Sequence, residues 1–260
     1  MESLVVNQDE QMRCVEAGAE RCRSARCHRR AFSLLDLLVS IAVIGLLIGI
    51  LLPALGTVHE TARRTVCISN LRQQGFGIAS YADERKGMIP SSFFRPDRGQ
   101  ASSRDMMMTR IGLEKLAGRR VSTQWDGMGL LHEGGFLLGP RVYYCPSHRG
   151  EHPFSLYAAS WDVADVTDIF SNFQYRGAPD GQRQLFRIQP ARTALVSDGL
   201  RSFNDYNHEV GCNVLRADLS TIWFHDRGGD VAALIKDAAA GSSPVDEAWR
   251  RIDHADEATR

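Results

Sequence analysis

Residues 37–55 read LLVSIAVIGLLIGILLPAL, and they form the most apolar stretch of the protein. It contains no charged residue, and Ser40 is its only polar side chain. As a helix it would span about 28 Å at about 1.5 Å per residue, close to the roughly 30 Å hydrocarbon core of a bilayer. A helix packed on a soluble protein shows a polar stripe, and this segment has none. The segment is therefore predicted to cross a membrane rather than to form a soluble core helix.

Positive charge is concentrated on one side of the apolar segment. Between residues 21 and 30 there are five arginines and no acid, whereas only Arg63 and Arg64 lie among the first dozen residues after the segment. Because arginine-rich flanks stay in the cytoplasm, we expect a cytoplasmic N-terminus and export of the residues beyond about 56. A removed secretory signal is the main alternative, but its apolar region has only about 7 to 15 residues. A retained single-pass anchor is favoured.

Asp36 begins this apolar region, four residues after Phe32. A carboxylate at the bilayer centre costs about 2.5 to 3.5 kcal/mol, and less near a helix end, so a partner is expected. If the chain were cut before Phe32, the new amino group could pair with Asp36 of a neighbouring subunit. The spacing alone leaves open the alternative that Asp36 reaches the membrane surface without a partner.

The sequence around Asp36 resembles the processing motif of type IV pilins and type II secretion pseudopilins. In that family a basic leader and a glycine precede Phe-Thr-Leu-Ile-Glu and an apolar run; here positions 29–31 read RRA and positions 32–36 read FSLLD. The resemblance implies that a prepilin peptidase cuts between Ala31 and Phe32 and methylates the new amino group of Phe32. It also implies that Asp36 replaces the family's glutamate in subunit assembly.

Pro53 matches the proline that loosens the helix late in the family's apolar segment, since proline lacks an N–H donor. Two residues depart from the family pattern. Ala31 stands where glycine is usual, which is expected to slow cleavage, and Asp36 is one methylene shorter than glutamate. The leader is also long for the family, and a start at Met12 would shorten it to 20 residues. Both starts remain open.

Later segments resemble a large bacterial group of pilin-like proteins. The similarity covers residues 67–73, 81–83, 87–90, 125–138 and 144–147, and His208 with Asp218 resembles the group's His-x9-Asp-Gly signature, with Leu219 in place of the glycine. The resemblance assigns no role to this pair. Because Cys67 and Cys145 both fall in resembling segments, they are the expected disulfide, with Cys212 left over. Two separate buried thiols are the alternative.

The fold class is predicted to be α+β and pilin-like, with a long N-terminal transmembrane and amphipathic helix packed on an antiparallel sheet. Small and apolar residues recur at 67, 71, 75, 78 and 82, which marks one helix face as far as about Asp83. Residues 91–110 are predicted to form a loop. The predicted short helices are 111–116 and 125–138, and the predicted strands are 141–144, 193–197, 213–217 and 221–224. Leu219 disfavours a two-residue turn in the last hairpin, so a longer or bulged turn is expected.

The predicted organisation has four parts. Residues 1–31 form a basic leader, 32–55 the transmembrane segment, 56–226 the exported domain and 227–260 a C-terminal extension with short surface helices. Met106, Met107 and Met108 are consecutive and cannot share a helix face, so they are expected to fill the core.

Composition and motifs argue against several functions. The 31 basic and 31 acidic residues balance, which disfavours a nucleic-acid partner. The cysteines lack the local spacing of a zinc site. A second metal hypothesis rests on imidazoles and carboxylates without a ligand motif: His148, His152, His208, Asp218, His225 and Asp226. Calcium, which some pseudopilins bind, would use Asp162, Asp165 and Asp168, or Asp198 and Asp205, but the Asp-x-Asp-x-Asp-Gly pattern is absent. We therefore predict no cofactor and no metal, and no enzyme, since neither Gly-x-Ser-x-Gly nor His-Glu-x-x-His occurs.

The leading functional prediction is a structural subunit, a pilin or pseudopilin, of a type IV pilus or a type II secretion filament. Its expected partners are membrane lipid, related subunits that pack through the N-terminal helix, and the prepilin peptidase. Its expected place is the inner membrane, with the C-terminal domain periplasmic or extracellular. The alternative is a non-polymerising, single-pass anchored envelope domain that binds a ligand or metal. An envelope enzyme ranks third, because His208 and Asp218 are unexplained.

Overall fold

The computed structural model describes residues 34–93, 105–116, 123–163, 167–200, 205–208, 210–236 and 242–254. The predicted processing site, Ala31 and Phe32, lies outside the described residues. The chain divides into two compact units, Met1–Leu52 and Pro53–Arg260.

The described part of the first unit belongs to helix α1, Leu34–Glu84, which contains Asp36 and continues through Pro53. Residues 34–52 are exposed, including Leu34 at 86% and Ile41 at 61%. The hydroxyl of Ser40 donates a hydrogen bond to the Asp36 carbonyl oxygen at 2.6 Å, so the segment's polar side chain is satisfied within the helix. Within the described ranges, α1 is the helix that is long and apolar enough to cross a membrane, by length and composition.

Within the second unit, α1 packs on the domain through the predicted face. Cys67, Leu71, Ile78 and Ala82 are fully buried, and the helix ends at Glu84, one residue beyond the prediction. At Gly75 a Cβ atom would lie only 3.0 Å from Leu215 Cδ1. This glycine therefore gives the sheet room to approach the helix.

The strands are short and all their pairings are antiparallel. One sheet has the order β1-β2 and the other β3-β4-β5-β6. The α+β class predicted from the sequence is confirmed. The strand bounds are Met108–Arg110 (β1), Ile169–Phe170 (β2), Gln174–Tyr175 (β3), Ala194–Ser197 (β4), Gly211–Arg216 (β5) and Thr221–His225 (β6).

Several local predictions were wrong. The predicted helix 125–138 is helical only over Gly129–Glu133. Residues 141–144, predicted as a strand, lie largely in the 3₁₀ helix Pro140–Tyr143, because Pro140 favours the first position of a helical turn. The predicted loop 91–110 contains β1, and its three methionines are buried in the core as expected. The remaining helices are Leu113–Leu116 (α2), Gly129–Glu133 (α3), Phe154–Tyr157 (α4), Asp230–Ile235 (α5) and Ser242–Asp253 (α6).

The C-terminal extension is not a set of surface helices, contrary to the prediction. Helix α6 carries apolar residues at 245, 248, 249 and 252, and this spacing gives a buried stripe that includes the fully buried Trp249. With α5 it forms a second core against Ala194, Cys212 and Val214 of the sheet. Asp253 also holds the end of α6 to the sheet. Its carboxylate accepts hydrogen bonds from Arg176 and from the Ala194 backbone N–H, both at 2.7 Å.

The β5–β6 turn is longer than two residues, as predicted, but Leu219 still adopts a positive φ of 65°. Leu219 N–H donates to the Arg216 carbonyl and Arg216 N–H to the Ser220 carbonyl, the pattern of a three-residue loop with a bulge. Leu219 also packs against the core cluster that includes Leu71 and Leu215, which offsets the backbone strain of its left-handed conformation.

A buried carboxylate joins the segment after α1 to the loop before α3. Asp126 accepts a hydrogen bond from the Ser92 hydroxyl at 2.8 Å and another from the Phe93 N–H at 2.9 Å. Burial nevertheless outweighs these hydrogen bonds and raises the pKa of Asp126 to about 6.

Asp126→Asn is expected to raise the free energy of unfolding by about 2 kcal/mol at pH 8, and to have little effect at pH 4. The unfolded carboxyl releases its proton near pH 4 and the folded one only near pH 6, so wild-type stability falls as the pH rises through this window. The amide removes the buried charge and can keep both hydrogen bonds if the Ser92 hydroxyl reverses. Urea unfolding of the detergent-solubilised chain at both pH values measures the effect. Exposed Asp83→Asn is the control, and equal stability of Asp126→Asn and wild type at pH 8 would contradict the expectation.

Candidate functional site

The site is built around a disulfide between α1 and the segment that follows the 3₁₀ helix at Pro140. Cys67 and Cys145 are bonded, with a Cα–Cα distance of 5.3 Å and a sequence separation of 78. This is the pair expected from the resemblance. Asn70 of α1 donates to the Tyr144 carbonyl at 3.0 Å, and the Asn172 side chain accepts from the Cys145 N–H. The cysteine-bearing segment is therefore held from two sides.

His208 lies beside the disulfide and between two carboxylates. Its Nδ1 is 2.5 Å from Oε1 of Glu60, and its Nε2 is 3.0 Å from Oδ2 of Asp198. The same Nε2 is 3.5 Å from the Sγ atom of Cys145. His208 and Asp198 are buried, whereas the Glu60 side chain is partly exposed.

The pKa values of His208, Asp198 and Glu60 are shifted by burial and by the contacts among these three groups. Burial lowers the pKa of His208, but hydrogen bonds and charges from Asp198 and Glu60 outweigh it, so the net shift is upward. Burial raises the pKa of Asp198 despite its contacts with His208 and Asn213. Burial also acts to raise the pKa of Glu60, but its hydrogen bonds from His208 and Ser147 dominate and lower it. The site thus suits a cation, either a proton on His208 or another positive charge.

Further hydrogen bonds fix both carboxylates. Asn213 of β5 donates to Asp198 through its backbone N–H and through its side-chain amide, both at 2.6 Å. Glu60 accepts from the Ser147 hydroxyl at 3.0 Å and from Arg64 Nε at 3.3 Å. Glu60 and Arg64 are four residues apart on α1, so their ion pair belongs to the site rather than to a remote surface.

A cleft of about 680 Å³ opens next to Glu60 and His208. Its other lining residues include three cationic side chains, Arg63, Arg64 and Arg149, as well as His59 and Asn207. Arginines at the rim favour an anionic ligand, because the guanidinium matches carboxylate and phosphate geometry.

The structure separates the two signature residues. His208 belongs to the cluster, whereas Asp218 lies in the β5–β6 turn, where its Oδ1 accepts from the Ser220 N–H at 2.9 Å. Asp226 accepts from the N–H groups of Val231 and Ala232 at the start of α5. These two acids therefore have local backbone roles.

The other metal candidates are dispersed. His148 Nδ1 is 2.8 Å from the Asn207 side-chain oxygen, and its Nε2 is 3.7 Å from Asp205. Asp168 accepts from the Gly112 N–H at 2.8 Å, and Asp165 lies outside the described residues. Among the residues that the structure describes, the potential metal ligands that lie within 4.8 Å of one another are instead Cys67, Cys145, Asp198 and His208, of which the two cysteines are joined in the disulfide.

Sequence reasoning missed that Glu60 and Asp198 face His208. A signal for Glu60 was available, because Glu60 and Cys67 are seven residues apart and thus lie on one face of α1 after two turns. No comparable spacing in the sequence relates Asp198 to the other members of the cluster. Asp198 reaches the cluster because β4 pairs with β5, with Ser197 opposite Val214.

Comparison with models of known protein families, with curated proteins and with solved structures found no significant match.

Proposed function

We propose that this chain is a membrane-anchored structural subunit of a pilin-like filament, of the type IV pilus or type II secretion kind. The observation that carries the proposal is the apolar surface of residues 34–52, which is exposed on all sides of the helix and has one acid, Asp36, at its start. Such a surface is stable only in lipid or against other apolar helices. A pilin-like subunit uses both environments, first the membrane and then the filament core.

The second unit supports the same proposal. It is an α+β domain whose core is built on the later half of α1, so the segment that would anchor the subunit and the segment that organises the domain are one helix. The domain would form the filament surface, and prepilin peptidase would process the chain before Phe32. No catalytic step is part of the proposal.

Asp36→Ala is expected to abolish cross-linked multimers in membranes, because the mutation removes the carboxylate that pairs with a neighbour's amino group. Asp36→Glu, which supplies the family's residue, should retain them. The measurement is in vivo cross-linking followed by immunoblotting, with membrane fractionation to check insertion. Asp83→Ala, at an exposed acid near the end of the same helix, is the matched control and should leave the multimers unchanged.

Two results would count against the proposal. An unchanged multimer ladder in Asp36→Ala would contradict the filament role. A chain recovered from membranes with residues 1–31 still attached would contradict cleavage before Phe32. N-terminal sequencing of the membrane fraction should read from Phe32.

The second candidate is a non-polymerising anchored domain that binds a ligand. The cleft beside Glu60 with its arginines favours it, and the bound molecule would be anionic. Wild-type chains that stay monomeric in membranes, with Asp36→Ala behaving identically, would support this candidate over the filament.

A further inference from the structure

Four buried side chains that can each ligate a metal converge beside α1. Their ligand atoms, the two Sγ atoms, one Asp198 oxygen and one His208 nitrogen, all lie within 4.8 Å of one another. We propose that Cys67, Cys145, Asp198 and His208 form a zinc site that opens when the disulfide is reduced. The oxidised chain holds a cross-link at this place, and the reduced chain holds the metal.

The distances suit a tetrahedral ion. Zinc bonds of about 2.3 Å to sulfur and 2.0 to 2.2 Å to nitrogen and oxygen place neighbouring ligand atoms about 3.3 to 3.8 Å apart. His208 Nε2 is already 3.5 Å from Cys145 Sγ and 3.0 Å from Asp198 Oδ2. The main movement needed is separation of the two sulfurs from bonding distance to about 3.8 Å.

The outer hydrogen bonds also match a metal site. A histidine that binds a metal through one nitrogen usually donates its other N–H to a carboxylate, which orients the ring. Glu60 occupies that position at Nδ1 of His208, and Glu60 is itself held by Ser147 and Arg64. Asn213 holds the Asp198 carboxylate in the same way.

Charge favours a cation as well. Asp198 is fully buried and Glu60 lies nearby, with one imidazole between them, and an unneutralised buried carboxylate is costly. Two thiolates would add negative charge that a proton on His208 cannot balance. Thiolate and imidazole ligands select zinc over calcium or magnesium, which prefer oxygen ligands.

The sequence spacing disfavoured zinc because zinc motifs are recognised by ligands close together in sequence. Here the ligands come from four separate segments: α1, the segment after Tyr143, the end of β4 and the loop before β5.

The exchange balances as two steps. A dithiol reductant transfers two electrons and two protons to the disulfide, giving two cysteine thiols and an oxidised reductant disulfide. Zinc then displaces both thiol protons, and His208 binds through a deprotonated Nε2, releasing any proton that the ring carried. In the reverse direction an oxidant disulfide takes two electrons from the two thiolates and two protons from solvent, becomes a dithiol, and the re-formed Cys67–Cys145 bond releases the ion.

The test is cobalt titration of the full-length chain in detergent, with Cys14, Cys22 and Cys27 replaced by serine in every sample so that they cannot bind metal. After reduction with a phosphine, we expect one cobalt ion per chain, with a thiolate-to-cobalt charge-transfer band and tetrahedral visible bands that zinc bleaches. The unreduced chain should show neither band. His208→Ala should weaken binding at least 100-fold, and Glu60→Gln about 10- to 100-fold.

Cys212→Ala is the matched control, since Cys212 is a buried thiol outside the cluster and its loss should leave the spectrum unchanged. Near-ultraviolet circular dichroism checks that each variant is folded. If His208→Ala does not fold, the cobalt affinity of Glu60→Gln tests the proposal instead, because the Glu60 side chain is partly exposed and its substitution should leave the fold intact. A reduced chain without tetrahedral bands, or variants that bind as tightly as wild type, would overturn the proposal.

The zinc proposal goes beyond the filament proposal and does not rest on it. Asp36→Ala should bind cobalt normally, and Glu60→Gln should still form multimers, so the failure of one proposal can be told from the failure of the other.

Discussion

Cys67→Ala is expected to lower the free energy of unfolding by about 4 kcal/mol more than Cys212→Ala does. Each substitution removes one buried sulfur, so their cavity costs are similar. Only the first removes a cross-link, which joins residues separated by 78 positions. On the chain-entropy model, a closed loop of that size restricts the unfolded state by about 4 kcal/mol.

The measurement is urea unfolding of the unreduced chain in detergent, with a chelator present so that metal does not contribute. Cys145→Ala should lower the free energy of unfolding as much as Cys67→Ala does. The double variant should lower it little more than either single variant, because the same disulfide is lost in all three. Equal losses for Cys67→Ala and Cys212→Ala would mean that the cross-link does not stabilise the domain.

Gly199→Ala is expected to lower the free energy of unfolding by at least about 3 kcal/mol. Gly199 has a φ of +87°, and an added Cβ would lie 1.7 Å from the carbonyl oxygen of Asp205. A backbone oxygen cannot move aside as a flexible side chain can, so the chain around Gly199 must shift. Because Asp198 is the preceding residue, the shift should also draw its carboxylate away from His208.

Gly181→Ala is the matched control for this prediction. Gly181 also has a positive φ, +78°, but an added Cβ there would meet nothing within 4 Å. Its loss should be only about 1 kcal/mol, the strain of a left-handed alanine. Urea unfolding of both variants measures the two losses. Their difference gives the cost of the clash between the added Cβ and the Asp205 carbonyl oxygen, because both variants carry the backbone strain. If the two losses are the same, the close approach at Asp205 is not the cause.

The long apolar helix and its buried later face could be predicted from the sequence because their signals are local. An uncharged run of apolar residues predicts a membrane-length helix whatever follows it, and the steps of three and four after Pro53 predict the buried face that includes Cys67 and Leu71. The strands at 194–197, 211–216 and 221–225 were also predictable, since alternation and turn residues mark them. The expected disulfide came from the resemblance rather than from any local pattern.

The cluster around His208 required the tertiary structure. Its members are brought together by the packing of α1, by the pairing of β4 with β5 and by the hydrogen bonds that hold Cys145, none of which leaves a periodic trace in the sequence. The same holds for α6, whose stripe shows that it is amphipathic but not that the sheet covers it. Short-range periodicity decides which residues form a helix or strand, whereas contacts between distant segments decide which side chains meet, and those contacts depend on how the whole core packs.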